Sequence, residues 1–99
     1  MTVEELKHLL SKNKNALAQE FGIRQIGIFG SVAEGRAGKD SDIDLFYDLG
    51  EGNFLDLRQL EVFEERVKNI LQRKKVDLVN LRYMNPIVRY RAEKKFIYV

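Results

Sequence analysis

Leu6, Leu9, Leu10, Leu17 and Phe21 recur at roughly helical spacing, and Gly22 closes the run. Residues three and four apart share one face of a helix, so these side chains form one apolar stripe. Thr2 and Glu5 stand at capping-box spacing ahead of it, which predicts a first helix ending at Gly22. The pattern then changes. Ile26-Gly27-Ile28-Phe29 is a short continuous apolar run, and a strand is expected over about Arg24 to Phe29. A second such run, Ile43 to Tyr47, predicts a strand from about Asp42 to Asp48, broken by Gly50 and Gly52. Phe54, Leu57, Leu60, Phe63, Val67, Ile70 and Leu71 then fall along one stripe, predicting a long amphipathic helix over about Phe54 to Arg73. A third strand is expected over Val76 to Leu81. Asn85-Pro86 reads as an N-cap followed by the first helical position, giving a last helix to about Lys95 and a terminal strand from Phe96 to Val99. The order is that of a small α/β (α+β) domain, helices packed on a mixed sheet.

Composition narrows the class. Residues 1–99 are enough for one domain with a single modest core. A hydrophobic share of 44% with 32% charged residues belongs to a folded globule rather than a disordered chain. No stretch approaches the roughly 18 apolar residues that a membrane helix needs, and the N-terminus has no apolar signal core. There are no cysteines, which excludes disulfides and thiolate metal sites and fits a reducing cytoplasm. A cytoplasmic protein with no membrane association is expected.

Charge is distributed unevenly. Residues 1–65 carry seven Lys/Arg against thirteen Asp/Glu, whereas residues 66–99 carry ten against two. The basic part includes Arg73-Lys74-Lys75 and the group Arg82, Arg89, Arg91, Lys94 and Lys95. Such a surface suits phosphates, RNA or an acidic partner, and equally the solvated faces of helices.

The segment from Gly30 to Asp44, GSVAEGRAGKDSDID, carries the candidate chemistry. Gly30-Ser31 follows the first expected strand directly, and ten residues separate it from Asp42-Ile43-Asp44. Glycine lets backbone approach a phosphate, while the serine hydroxyl and nearby amides donate to it. A short helix starting at Val32 would add its amino end. Asp42 and Asp44 at spacing two share one face of a strand, with Ile43 turned into the core. Like charges so placed repel unless a cation or fixed hydrogen bonds compensate, and Mg²⁺ takes a few carboxylate oxygens, water and substrate phosphates. Read separately, Gly-Ser is an ordinary helix cap and the aspartates an ordinary strand end. Asp77 interrupts the apolar run Val76-Asp77-Leu78-Val79. It joins the other two carboxylates if the third strand pairs beside the second, or else pairs with Lys74 or Lys75. Arg36 and Lys39, in the loop between, are further candidates for the phosphates. His8 is given no role, and Tyr83, Tyr90 and Tyr98 read as packing or surface residues rather than base-stacking ones.

Gly-Ser, ten residues, then Asp-x-Asp resembles the signature of the DNA polymerase beta-like nucleotidyltransferase superfamily. The short chain resembles its minimal nucleotidyltransferases, the MNT antitoxins encoded beside a helical HEPN toxin. The resemblance implies that Gly30 and Ser31 position ATP and that Asp42 and Asp44 hold Mg²⁺. It makes Asp77 a ligand to a second metal ion, with a role in activating the attacking hydroxyl. It further implies transfer of AMP to a tyrosine of a HEPN-type ribonuclease. Two rivals stand beside that picture: an antitoxin acting by complex formation alone, and an antibiotic-type enzyme acting on a small-molecule hydroxyl. The second of these usually has a larger acceptor domain. Direct nucleic-acid binding is left open.

Overall fold

The computed structural model describes residues 1–38 and 41–99. Helix α1, Val3–Phe21, begins at the expected capping box: the Glu5 N–H donates to Thr2 Oγ1 at 3.1 Å and the Thr2 N–H donates to Glu5 Oε1 at 3.3 Å. It ends on Gly22 in the left-handed region. Strand β1, Ile23–Phe29, leads into the one-turn helix α2, Gly30–Ala33, which starts two residues earlier than Val32. Strand β2, Ile43–Leu49, is followed by helix α3, Leu57–Leu71, and strand β3, Val76–Asn80. A 3₁₀ turn, Leu81–Tyr83, helix α4, Pro86–Ala92, and a second 3₁₀ turn, Glu93–Lys95, lead to β4, Ile97–Tyr98.

The four strands lie in the order β3-β2-β1-β4. β1 is antiparallel to both β2 and β4, and β2 is parallel to β3. One face carries Ile26, Ile28, Ile43, Leu45, Tyr47 and Leu49 into a core with Leu6, Leu10 and Leu17 of α1 and Phe63, Val67 and Leu71 of α3. The other face is crossed by the connection from β3 to β4. There Phe46, Leu81, Met84 and Phe96 form a second, smaller core, with Phe29, Val79 and Ala92 packed against it. β2 is therefore apolar on both faces along its middle and polar only near its ends.

Two expectations need correction. α3 starts at Leu57 rather than Phe54, because Asp56 and Gln59 form a second capping box. Phe54 and Leu57 accordingly leave the buried stripe and stand 76% and 87% exposed. The last helix does not run unbroken to Lys95. It tightens to 3₁₀ after Ala92, as the chain turns down to seat Phe96.

Gly27 shows what fixes the second core. It pairs with Phe46 across β1 and β2, and a Cβ there would strike the Phe46 ring and stand 2.6 Å from the Ile97 carbonyl oxygen. Only a bare backbone leaves room for the ring, which stacks on Phe96 with centroids 4.4 Å apart. Gly27→Ala should therefore destabilise the fold by about 1–3 kcal/mol through overpacking. Urea unfolding measures this, and a midpoint equal to that of the unsubstituted protein would contradict the packing described.

Candidate active site

Strand alternation puts Asp44 on the face opposite the main core, alongside Phe46. Asp42 lies just ahead of β2, at the spacing that continues the same side, and is exposed. In the parallel pairing of β2 with β3, Asp44 stands level with Asp77, so both side chains leave the sheet on one face. In the antiparallel pairing with β1, Asp44 stands level with Phe29, which puts the following turn beside it. Gly30 takes φ 74°, and a Cβ there would collide with Asp44 Oδ2 and sit 3.1 Å from Asp44 Cβ. The glycine is thus required twice over, by conformation and by the closeness of the carboxylate. Ser31 follows, half-buried, in the first turn of α2. The structure brings all five expected residues, Gly30, Ser31, Asp42, Asp44 and Asp77, to one end of one sheet face.

The electrostatics there are unfavourable as they stand. Partial burial, then the charge of Asp77, then that of Asp42 push the Asp44 carboxyl above its usual range. Among the described residues none of the three aspartates makes an ion pair, so the expected alternative pairing of Asp77 with Lys74 or Lys75 is not found. Asp77 is exposed and Asp44 half-buried, so the site is an open face rather than an enclosed cavity. Repelling carboxylates left open on one side are a donor set suited to a divalent cation. Among the described residues no three His, Cys, Asp or Glu side chains form a metal site by themselves. Phosphate oxygens and water would have to complete the coordination, as is usual for Mg²⁺.

Of the weaker candidates, Arg36 lies close by: its N–H donates to the Ser31 carbonyl at 2.8 Å, and its guanidinium pairs with Glu34 at 3.2 Å. Lys39 lies outside the described residues. His8 is exposed on α1, whose apolar side packs on the opposite face of the sheet. Tyr83 and Tyr90 are exposed, and Tyr98 meets the edge of the Phe46 ring. The sequence reading missed Glu34 and its pairing with Lys95, which join across 61 positions at 3.0 Å. No local pattern signals a contact of that range. A separate cleft of about 340 Å³ lies at the far ends of β2 and β3, between Phe54, Leu60, Asn80 and Tyr83 among others. It contains none of the three aspartates.

The comparisons place the chain among known proteins. A family model described as "Polymerase beta, Nucleotidyltransferase" matches residues 4–99. The protein adenylyltransferase MntA of Thermococcus cleftensis is 38% identical over 80 residues, covering 80% of this chain and 77% of the relative. A solved structure provisionally described as a minimal nucleotidyltransferase superposes with a TM-score of 0.78 at 29% identity, covering 98% of this chain and 95% of the other. The same fold occurs in a chain from the complex of a tri-AMPylated Shewanella oneidensis HEPN toxin with MNT antitoxin. Its TM-score is 0.64 at 19% identity, covering 94% of this chain and 70% of that one.

A carboxyl pushed upward binds its proton more tightly in the folded state than in the unfolded chain. Its ionisation therefore costs stability as pH rises through its folded pKa, and protonation restores that stability below the usual carboxylate range. Asp44→Asn should raise the thermal midpoint at pH 7 in chelator-treated buffer, and the gain should shrink as pH falls towards about 4. A gain that is absent, or that grows on acidification, would contradict the clustering of charge around Asp44.

Proposed function

Because the chain belongs to the polymerase beta nucleotidyltransferase family, we propose that it transfers AMP from ATP to a hydroxyl of a partner protein. The observation that carries the site assignment is the register that sets Asp44 level with Asp77, with Gly30 against Asp44 and Asp42 on the same side. The adenylyltransferase name of the Thermococcus relative supports AMP as the group moved.

In this reading Gly30 and Ser31 seat the triphosphate through backbone amides and the serine hydroxyl. Mg²⁺ held by Asp42, Asp44 and Asp77 together with the phosphates would neutralise charge and polarise the α-phosphoryl group. Asp77, exposed beside Asp44, takes up the proton of the incoming hydroxyl. The hydroxyl oxygen bonds to the α-phosphorus, the bond from that phosphorus to the bridging oxygen breaks, and pyrophosphate leaves. The work of the protein is positioning and charge compensation.

The openness of the site favours a protein partner. Among the described residues no wall stands opposite the three carboxylates on their sheet face, and Asp42 and Asp77 are exposed. The connection over that face exposes Ile87, Val88 and Tyr90 on α4, a helix without a buried residue. A protein acceptor would cover that helix and supply the missing wall. The AMPylated HEPN toxin complexed with a chain of the same fold supports a HEPN-type toxin as that partner. In this reading the acceptor hydroxyl is that of a tyrosine.

Incubation with α-labelled ATP, Mg²⁺ and a purified HEPN-type toxin from the same organism tests the reading. Label should pass to the HEPN protein. Asp42→Asn and Asp44→Asn should each lower the rate at least about a hundredfold with the fold intact by circular dichroism. Transfer by Asp44→Asn at the unsubstituted rate would overturn the site. Stable complex formation without transfer would point to an antitoxin acting by binding alone.

A further inference from the structure

Phe29 and Phe96 meet edge to face, with ring centroids 6.0 Å apart. Gly30 follows the first of these rings in the chain and Lys95 precedes the second. The aromatic contact therefore draws Lys95 alongside the Gly30-Ser31 turn, although 64 positions separate Lys95 from Ser31 in the sequence. Lys95 Nζ donates to Glu34 Oε1 at 3.0 Å, and Arg36 Nη2 pairs with Glu34 Oε2 at 3.2 Å. The backbone binds the same residues to the turn. The Glu34 N–H donates to the Gly30 carbonyl at 3.0 Å, and the Arg36 N–H to the Ser31 carbonyl at 2.8 Å. One carboxylate thus holds two cations, from remote parts of the chain, beside one turn.

Glu34 sits below the usual carboxylate range because of its hydrogen bonds to Lys95 and then Arg36, so it remains ionised and keeps both. The side chains of Lys95 and Arg36 are 62% and 64% exposed. Surface ion pairs of this kind add little to stability, so a purely structural role gives them little to do. A polyanion on this face meets three carboxylates that repel it, and only nearby cations offset that repulsion. Lys95 and Arg36 are cations that the fold brings to the turn.

We propose that Lys95 and Arg36 clamp the β- and γ-phosphates of the triphosphate at the Gly30-Ser31 turn, with Glu34 as the residue that positions both. This rests on the nucleotide-binding reading above. Lys95 and Arg36 exchange part of their pairing with Glu34 for phosphate oxygens, and charge-assisted hydrogen bonds of that kind are the stronger ones. The clamp reads the outer phosphates, so it distinguishes ATP from AMP.

Calorimetric titration of the whole chain with ATP, AMP and inorganic tripolyphosphate, each with Mg²⁺, tests this. Lys95→Gln and Arg36→Gln should each weaken ATP and tripolyphosphate about tenfold and leave AMP unchanged. Lys94→Gln, an equal loss of charge one position away, should change none of the three. Thermal midpoints close to that of the unsubstituted chain would show that the variants fold. ATP affinity unaltered in Lys95→Gln, AMP weakened as much as ATP, or an equal loss in Lys94→Gln would each overturn the clamp. If the unsubstituted chain binds ATP while the clamp variants match it, only this inference falls. If the unsubstituted chain binds neither ATP nor tripolyphosphate, the nucleotide-binding reading falls with it.

Discussion

Asp44 and Asp77 repel each other, yet the parallel pairing of β2 with β3 holds them level. Ile43, Leu45, Tyr47 and Leu49 of β2 are all buried on the opposite face. Because strand side chains alternate, slipping β2 by one residue would turn that apolar set away from the main core and drive Asp44 and Asp48 into it. The main core therefore enforces a charge arrangement that the local electrostatics oppose. Partial burial and then that repulsion raise the Asp44 pKa, and a bound cation would relieve the repulsion.

The extent of the site is set by the second core. Phe46 lies next along the face from Asp44, and its ring is sealed in by Phe96 over the bare backbone of Gly27. The connection from β3 to β4 thus covers the middle of the face and leaves only the end where β2 and β3 begin. The same connection delivers Lys95 to Glu34 and leaves the apolar side chains of α4 in solvent. One crossover closes the small core, borders the candidate site and presents a surface.

Much of this was legible in the sequence. Thr2 with Glu5, the stripe from Leu6 to Phe21, and Asn85-Pro86 are local signals, and each element formed near where they placed it. The Gly-Ser and Asp-x-Asp spacing picked out residues that the fold does bring together, because the two halves flank strands that pair. The start of α3 was misread: Phe54 and Leu57 fit the apolar period, but the Asp56–Gln59 box sets the boundary by hydrogen bonding. Gly27 carries no local signal of its purpose, which appears only when the Phe46 ring is seen against it. Glu34 with Lys95 was out of reach for the same reason. Contacts between residues far apart in the chain leave no period to read.

Manganese serves as a paramagnetic stand-in for Mg²⁺ and locates the metal–nucleotide site directly, through amide signals broadened by Mn²⁺ added with ATP. The account predicts broadening strongest at Gly30, Ser31, Asp42, Asp44 and Asp77 and fading towards the far end of the sheet. Broadening centred instead on Asn53, Phe54, Asn80 and Tyr83, around the cleft at the far end of the sheet, would contradict it.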